Sequence, residues 1–563
     1  MRKSGVSQLF FSCLALLQSG AEAFLPKPPL PPPFRMLVVG PNGGNGSFEQ
    51  YVDHANPSLG TFSQKYWWNT TYWAGPGSPI VFFTPGETEA APYMGWFTNR
   101  TLLGQYAQAF GGAMIMLEHR YYGDSSPYSV LDTQNLTHLT LDNSIKDLGH
   151  FTRTVKLPFD ESEASNSQNA PWIFLGGSYA GNLVAWTQKL DPDAFWAYHS
   201  SSAPVEAIYN FWQYFIPIQR GMPQNCSKDL LLISEHLDNV IESKNETAIH
   251  ELKDMFGLAD VEYHDDFAVA VGGIPAKWQG IQRYTNYSEF YQMCDSIQGV
   301  RPVNMGAAAE HSNSSTIGEK QPSTVNEGVH WSNVSADGVG LEKALKNFAL
   351  WYKHEELPGL CKQYEYDDDP DWNDTLSTGC YDTHNATNAA MIDYRVDNPV
   401  NRQWFWMLCN EPFGYWMLNP PRGQERSYVP FSVGEHYYQV QCDIYFPQQG
   451  NYTHGSAAGK TVDLVNALTE GWNLKNTTRL LWVNGEHDPW RSASVSSEIR
   501  PGGPMPSTPE APVFVLPEAI HCNELLMRNA DANEAIRTAQ IEMIGIMKKW
   551  LADWPSKQAS AVA

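Results

Sequence analysis

Residues 172–181 restrict the fold of this chain more than any other segment, because they read as a strand, a tight turn and the start of a helix. The run WIFL is followed by GGSYAG, which puts Ser178 at the turn. A nucleophile elbow has this order, since its serine occupies a strained turn and small neighbours let other backbone approach. Ala180 departs from the G-x-S-x-G form but is also small. A glycine-rich turn that only joins a strand to a helix is the alternative, and the flanking segments favour the elbow.

Two late apolar runs end in loops that can supply an acid and a base. Residues 480–483 lead to Asp488, and residues 513–516 lead to His521. In a hydrolase of this type the acid and then the histidine follow the serine along the chain, each on a loop after a strand. The order predicts that Asp488 orients the imidazole of His521, which takes the proton from Ser178.

The acid loop also contains a rival for each of these two roles. His487 lies directly beside Asp488 and cannot readily fold back to donate a hydrogen bond to its carboxylate, so His521 is the preferred base. Glu486 is a rival acid, but Pro489 fixes the loop at Asp488 more firmly.

Backbone N–H groups near the serine are candidates for an oxyanion hole. One belongs to Tyr179, at the start of the following helix, where free N–H groups point towards developing negative charge. The second is assigned to Gly86, in the turn after an early apolar run at 79–83, because glycine permits close backbone approach. Glu87 is an equal alternative for this second donor.

The wider pattern predicts an α/β protein: an α/β-hydrolase sheet domain with a large helical, disulfide-bonded cap insertion. Apolar runs alternate with helix-like segments, which is typical of a mostly parallel sheet covered on both faces. Strands are expected at 79–83, 113–117, 172–175, 479–483 and 512–516. Helices are expected at 183–190, from a cap at Ser227 through Ile241, at 341–351 and from Ile536 to Trp550, and residues 306–340 should form a flexible loop.

The expected domain order has five parts. They are a signal peptide at 1–23, a Pro-rich spacer at 24–47, the first part of the hydrolase domain at 48–205, the cap at 206–440 and the second part of the hydrolase domain at 441–555.

The N-terminus has the features of a signal peptide. Arg2 and Lys3 precede a short apolar stretch, and residues 21–23 supply a small-x-small cleavage pattern. An uncleaved anchor is the weaker alternative, because the stretch is too short to span a bilayer. Thirteen N-x-S/T sequons independently predict N-glycans and secretion, or delivery to a vacuolar or lysosomal compartment. They begin at Asn45, Asn69, Asn99, Asn135, Asn225, Asn245, Asn286, Asn313, Asn333, Asn373, Asn385, Asn451 and Asn476.

The cysteine count fits an oxidising compartment. Of eight cysteines, Cys13 leaves with the signal peptide, and the other seven predict three disulfides and one free thiol. Cys522 is the candidate free thiol, because the other six cluster between residues 226 and 442. No C-x-x-C pair is present, so a zinc site is not expected, and neither is a cofactor.

The formal net charge of −24 argues against a nucleic-acid partner, which requires a basic face. No further apolar run approaches the length of a membrane span, so no membrane association is expected.

Several motifs together resemble the serine-peptidase family of Pro-Xaa carboxypeptidase, dipeptidyl peptidase II and the fungal acid prolyl endoproteases, and within it are most similar to the fungal enzymes. They are TPGE at 84–87, EHRYYGDS at 118–125, GGSYAG at 176–181, NGEHDPW at 484–490 and the His521 loop, with YWW at 66–68, SAPVEA at 202–207 and LCNEP at 408–412 typical of the fungal group. The resemblance covers roughly residues 48–552. The sequence differs from the family pattern at Ala180, at Tyr122 and in the loop at 303–336, which is longer here.

The resemblance implies peptide cleavage on the carboxyl side of proline, often at acidic pH, with the substrate between sheet and cap. Proline fits a compact apolar slot lined by aromatic rings. The rings of Trp490 and Tyr179, beside the acid and the nucleophile, are the first candidates. Trp406 and Trp416 are weaker ones, because a tryptophan in such a chain is more often part of the core.

Three carboxylates, Glu87, Glu118 and Glu411, resemble family residues near the unprimed end of the substrate site. They could hold a free amino terminus, which would favour dipeptide release. Structural ion pairs, such as Glu118 with Arg120, are the alternative. Endopeptidase and exopeptidase action both remain open, and an esterase or lipase of the same fold is the competing function.

Overall fold

The computed structural model describes residues 42–304 and 335–555. The expected signal peptide, most of the expected spacer, two sequons (Asn313 and Asn333) and most of the 306–340 loop lie outside the described residues.

An eight-stranded sheet forms the centre of the molecule, with the strand order β1-β2-β4-β3-β5-β6-β9-β10. β1 and β2 are antiparallel, β2 runs antiparallel to β4, and all later neighbours in the sheet are parallel. A parallel pair, β7 and β8, lies apart from this sheet. The strands are β1 (Gly43–Tyr51), β2 (Thr61–Asn69), β3 (Ile80–Phe83), β4 (Ala113–Leu117), β5 (Trp172–Gly177), β6 (Ala197–Ser201), β7 (Ile208–Asn210), β8 (Gly414–Trp416), β9 (Leu480–Gly485) and β10 (Val513–Leu516).

Helices cover both faces of the sheet and build the cap. They are α1 (Leu102–Phe110), α2 (Leu141–Thr154), α3 (Tyr179–Leu190), α4 (Phe215–Gly221), α5 (Gln224–Glu242), α6 (Glu246–Phe256), α7 (His264–Gly272), α8 (Glu289–Gln298), α9 (Leu341–Trp351), α10 (Arg402–Asn410), α11 (Tyr437–Tyr445), α12 (Val462–Thr469), α13 (Met527–Ala532) and α14 (Glu534–Ala552). None of the helices in the described ranges is both long and apolar enough to cross a membrane.

The central strands are buried on both faces, which explains why their sequences are apolar runs without alternation. Phe82 packs in the apolar cluster on one face, and its neighbours Val81 and Phe83 pack in the cluster on the other. The first cluster continues into the cap, and the second is closed by α1 and α14. The α/β-hydrolase architecture and the capping helices expected from the sequence are therefore confirmed.

Several expected boundaries differ from the structure. β1 begins at Gly43, inside the segment interpreted as spacer (24–47), because its alternating residues pair with β2. The boundary expected at 440/441 falls inside α11. The helix that follows Ser178 starts at Tyr179 rather than Leu183. α5 starts at Gln224 after Pro223, so Ser227 is not its cap; its hydroxyl hydrogen-bonds to Tyr428 at 2.7 Å.

Three disulfides cross-link the cap region, and the expected free thiol is confirmed. The pairs are Cys226–Cys294, Cys361–Cys380 and Cys409–Cys442. Cys522 is free and buried.

Candidate active site

Ser178 occupies a strained turn at the carboxyl end of β5. Its φ of 59° and ψ of −130° lie outside the regions that residues other than glycine normally adopt. The turn is possible because its neighbours are small: a Cβ on Gly176 would lie 2.4 Å from the carbonyl oxygen of Ala180. This is the backbone geometry of a nucleophile elbow.

Hydrogen bonds join the loops at this edge of the sheet into one assembly. The backbone N–H of Ser178 donates to the Ser201 carbonyl at 3.0 Å, and that of Ser202 donates to the Val483 carbonyl at 2.7 Å. The hydroxyl of Ser202 accepts from the Cys522 N–H at 2.9 Å. These hydrogen bonds hold together the turn at Ser178, the end of β9 and the loop that contains His521.

Asp488 and His521 form a buried pair. The Nδ1 of His521 lies 3.0 Å from Oδ1 of Asp488, and both side chains are fully buried. The same carboxylate oxygen accepts the Trp490 backbone N–H at 3.0 Å, which fixes the position of this carboxylate. Nε2 of His521 is buried without a hydrogen-bond partner among the described residues, so it is the ring nitrogen left to accept a proton.

The surroundings of His521 favour its charged form. Burial by itself lowers the pKa of the imidazole, but the adjacent Cys522 sulfur and the Asp488 carboxylate oppose it, and together they raise the pKa well above its ordinary value. An imidazolium that forms during a reaction would therefore be stabilised here.

The two rival residues of the acid loop point elsewhere. The ring of His487 packs beside Gly221 of α4, and burial lowers its pKa. Glu486 accepts the backbone N–H of Glu518 at 2.9 Å and so supports the turn before the histidine loop. His521, rather than His487, is the imidazole that contacts Asp488.

The turn after β3 faces the N-terminus of α3. Gly86 has a φ of 80°, and a Cβ there would come 3.4 Å from the backbone nitrogen of Ala180. The Gly86 N–H donates to the Thr84 hydroxyl at 3.3 Å, a long hydrogen bond. The two expected oxyanion donors, Tyr179 and Gly86, are thus on adjoining segments, with Glu87 next to them.

Trp490 lies in a group of aromatic rings contributed by the cap. It stacks on Phe211 with ring centroids 5.6 Å apart and meets Tyr214 and Tyr415 edge-on at 5.4 and 5.2 Å. Its indole N–H donates to Oε1 of Gln279 at 2.7 Å. The ring expected to lie beside Asp488 is therefore held in place by residues of the cap.

Tyr179 lies in a second aromatic group. Its ring packs 5.0 Å from Trp404 and 6.2 Å from Phe413, and its hydroxyl lies 3.3 Å from Nε2 of His119. Trp406, in contrast, donates its indole N–H to the Leu139 carbonyl and is fully buried in the core.

The weaker candidate Trp416 is also a core residue. It stacks on Tyr438 with ring centroids 4.9 Å apart and is 3% exposed.

Glu87 has the fewest hydrogen-bond partners of the three expected carboxylates. It is 4% exposed, and neither of its carboxyl oxygens has a hydrogen-bond partner among the described residues. Burial raises the pKa of Glu87 to about 8, although His521 nearby opposes the shift. This carboxyl group is neutral at acidic pH.

Glu118 and Glu411 are held by protein groups. Glu118 accepts from the Ala90 N–H at 3.0 Å and from the Ser125 hydroxyl at 2.6 Å, and burial raises its pKa to about 7. Glu411 is partly buried at the end of α10, where burial raises its pKa and the Asn410 side chain donates to it at 3.1 Å.

The ion pair suggested for Glu118 with Arg120 is wrong. Arg120 is fully buried and pairs with Asp147 through two contacts, at 2.7 and 2.6 Å. It also donates to backbone carbonyls of β1 and the following turn, so the guanidinium is satisfied without Glu118.

Sequence reasoning missed several residues that build this site. Gln279 is linked to Trp490 across 211 residues, and Ser202 joins the acid strand to the histidine loop. His119 lies within the EHRYYGDS motif, but nothing in the sequence marks its contact with Tyr179. No local periodicity marks such residues, because their roles come from contacts between distant segments.

A cluster in the cap brings Asp265, Asp266 and His384 within reach of one another. Contacts within the protein explain why these three residues lie together. Asp265 pairs with His384 at 3.1 Å, and Asp266 accepts from the hydroxyls of Thr383 and Tyr437 at 2.6 and 2.7 Å.

The sheet order, the strained serine after β5 and the covering cap define the class of the protein as an α/β-hydrolase. A family model described as serine carboxypeptidase S28 matches residues 50–335 and 366–540. The chain belongs to this family and is a serine peptidase.

Curated relatives agree with this assignment. The chain is 41% identical over 511 residues to "Serine protease vicPa" of Bipolaris victoriae, covering 91% of this chain and 89% of that protein. It is 34% identical over 526 residues to the human "Thymus-specific serine protease", covering 90% and 86%. It is 27% identical over 582 residues to a "Probable extracellular serine carboxypeptidase" of Arthroderma benhamiae, covering 96% and 74%.

Proposed function

We propose that this chain is a secreted serine peptidase that hydrolyses peptide bonds on the carboxyl side of proline, with Ser178, Asp488 and His521 as its catalytic triad. The observation that carries the triad is the buried contact between His521 Nδ1 and Asp488 Oδ1 at 3.0 Å, beside a serine with elbow geometry. This contact supports a mechanism in which Asp488 orients the imidazole of His521 and the imidazole deprotonates Ser178.

In the first half of the reaction, Ser178 Oγ attacks the carbonyl carbon of the prolyl residue while His521 Nε2 takes its proton. The proton then passes to the leaving amine, and an acyl-enzyme remains. Water attacks this ester with His521 again as base, which releases the peptide that ends in proline. Asp488 stabilises the imidazolium in both halves.

The oxyanion would be held by the backbone N–H groups of Tyr179 and Gly86. Their segments adjoin, because Gly86 packs against the N-terminus of α3. A positive helix end and fixed N–H donors stabilise a developing oxyanion better than water, since they need no reorganisation. The Glu87 N–H is the alternative second donor.

The proline slot is proposed beside Trp490 and Tyr179. Trp490 is 6% exposed and is surrounded by rings from the cap, which gives the kind of apolar surface that a pyrrolidine ring fills. Of the three family carboxylates, Glu87 has free hydrogen-bonding capacity towards a substrate. Glu118 and Glu411 have less hydrogen-bonding capacity left for a substrate, because protein groups already donate to them.

The proposed acidic working range comes from the family resemblance, and Glu87 sets an upper limit to it. Ionisation of this residue above about pH 8 would place a negative charge next to the proposed oxyanion donors and oppose catalysis. Protonation of His521 sets the opposite limit, because imidazolium cannot accept the serine proton. The raised pKa of His521 therefore works against activity at low pH, whereas Glu87 limits activity at high pH.

Secretion and glycosylation are proposed from the signal-peptide pattern and the sequons. Several sequon asparagines are exposed, whereas Asn69 is buried in β2 and is not expected to carry a glycan. The exposed ones are Asn45, Asn99, Asn245, Asn286, Asn373, Asn385, Asn451 and Asn476. Delivery to a vacuole or lysosome through the same pathway is the alternative destination.

The test is incubation with a peptide that contains one internal proline and is blocked at both ends, followed by mass analysis of the products. Cleavage after proline by the wild-type protein, with none by Ser178→Ala, is the expected result and would show endopeptidase action. Cleavage of only unblocked peptides would indicate an exopeptidase. Hydrolysis of a fatty-acid p-nitrophenyl ester with no cleavage of either peptide would favour the esterase.

A further inference from the structure

Gln279 contains a buried hydrogen-bond donor that no group in the described part of the protein satisfies. It lies in a 3-10 segment of the cap, Ile274–Gly280, and is 2% exposed. Its Oε1 accepts from the Trp490 indole N–H and from the Tyr214 hydroxyl, both at 2.7 Å. Its Nε2 is buried and has no hydrogen-bond partner among the described residues.

The two neighbours of Gln279 determine which end of its side-chain amide lacks a hydrogen-bond partner. The indole N–H of Trp490 can only donate, so the amide atom that faces it must be the oxygen. Rotating the amide of Gln279 by half a turn would set two N–H groups against each other. The free group is therefore the NH2.

An unpaired buried amide donor is costly, at about 1–3 kcal/mol. Folded proteins rarely keep such a group unless it serves a ligand or another function. Because the group carries two N–H bonds and no charge, the matching ligand atom is a neutral oxygen acceptor, such as a peptide carbonyl.

The position of Gln279 indicates which carbonyl this is. Its amide lies at the edge of the Trp490 ring, and the backbone N–H of Trp490 donates a hydrogen bond to the carboxylate of Asp488. A prolyl ring that packs on this indole carries the carbonyl of the preceding residue on its ring nitrogen. Since that nitrogen has no hydrogen, the Xaa-Pro bond offers an acceptor and no donor.

We propose that the Nε2 amide group of Gln279 donates a hydrogen bond to the substrate carbonyl that precedes proline and so helps select Xaa-Pro peptides. The inference rests on the proposed function, because it requires a prolyl residue beside Trp490. Tyr214 then has a supporting role: its hydroxyl and the indole N–H together hold the amide in the donating orientation.

The experiment compares two substrates on each protein: acetyl-prolyl p-nitroanilide and its thioacetyl analogue, in which a weaker sulfur acceptor replaces the carbonyl oxygen. The variants are Gln279→Met and Gln279→Leu, which both remove the amide donor; the first keeps a side chain of similar length. Because each ratio of kcat/KM compares two substrates on one preparation, it does not depend on how much of a variant folds.

We expect the wild-type protein to prefer the oxygen substrate by about 5- to 10-fold, the size of one neutral hydrogen bond. The preference should fall to near unity in both variants. A preference that is the same in all three proteins would overturn the inference and leave Gln279 as a support for Trp490 alone. Wild-type protein that cleaves an acetyl-alanyl but not the acetyl-prolyl substrate would instead refute the proline specificity on which the inference rests.

Discussion

The carboxyl edge of the sheet and the helical cap hold their side chains in place by different means. At the sheet edge the backbone itself is constrained: Ser178, Ser202 and Cys522 all have positive φ, at 59°, 50° and 51°. Such conformations persist only where the surrounding structure determines them, and a buried parallel sheet does so. The cap region has fewer strands and three disulfides instead.

This difference has a consequence for mutation. Changes at the sheet edge should remove chemistry while the protein still folds, because the strands on either side remain packed. Changes to the cross-links should lower stability while an assembled site keeps its chemistry. Changes where the two regions meet should alter specificity.

Asp488→Asn tests the sheet edge and should have the largest effect. The substitution keeps the shape of the side chain but removes the charge that orients and stabilises the imidazole of His521. We expect kcat to fall by on the order of 10⁴ while the protein remains folded. A loss of only a few-fold would point to Glu486 as the acid, which the matched variant Glu486→Gln would then reveal.

Replacing both cysteines of the pair Cys226–Cys294 by serine tests the cap. This disulfide spans 68 residues, and its removal should lower the free energy of unfolding by about 2–5 kcal/mol. Losing Cys361–Cys380, which spans 19 residues, should cost about 1 kcal/mol less, because loop-closure entropy grows with the logarithm of loop length.

Urea denaturation of the two double variants measures this difference. Equal losses would mean that local packing, rather than the length of the closed loop, decides the stability of the cap.

Trp490→Ala tests the boundary between the regions, since this residue follows the acid and packs on cap rings. The ratio of kcat/KM for proline over alanine substrates should fall by roughly 10- to 200-fold, because pyrrolidine methylenes lose a contact that a methyl group hardly makes. An equal loss for both substrates would show that Trp490 supports the Asp488 loop instead. Trp416→Ala, a change in the cap core, is the matched control and should leave the ratio unchanged.

Glu87→Gln should have the smallest effect at acidic pH and a visible one at alkaline pH. Burial raises the pKa of Glu87 from 4.5 to about 8, so its neutral form prevails below that pH. As pH rises through about 8, kcat/KM of the wild-type protein should fall about tenfold for each further pH unit, and the variant should not show this limb. An unchanged alkaline limb in the variant would assign it to another group.

The same shift predicts a pH dependence of stability. Between pH 4.5 and about 8 the unfolded chain ionises Glu87 while the folded protein keeps it neutral. The free energy of unfolding should therefore decrease as pH rises through this window, and less so in Glu87→Gln.

The central fold could be predicted from sequence because its strands are short apolar runs. β4 has the expected bounds, and the expected order of serine, acid and histidine follows β5, β9 and β10. β1 and β6 were not foreseen: β1 is mostly polar, and β6 contains His199 and Ser200, whose side chains bond to Tyr106 and to the Gly181 carbonyl.

The candidate site could be foreseen only where it is local in sequence. Ser178 with Tyr179, and Asp488 with Trp490, lie within short motifs. Gln279 comes from the cap, 211 residues before the tryptophan that it contacts, and no spacing rule connects the two. The free donor of that residue exists only once the chain has folded.

Covalent labelling with peptidyl diphenyl phosphonates, which react with serine peptidases through the nucleophile, tests the proposed role of Ser178 and the preference for proline most directly. Wild-type protein would be treated with an alanyl-prolyl phosphonate or with its alanyl-alanyl counterpart, and the modified peptide located by mass spectrometry. We expect an adduct on Ser178 that forms faster with the prolyl reagent and is absent from Asp488→Asn over the same time. An adduct on another residue, or equal rates with both reagents, would contradict this expectation.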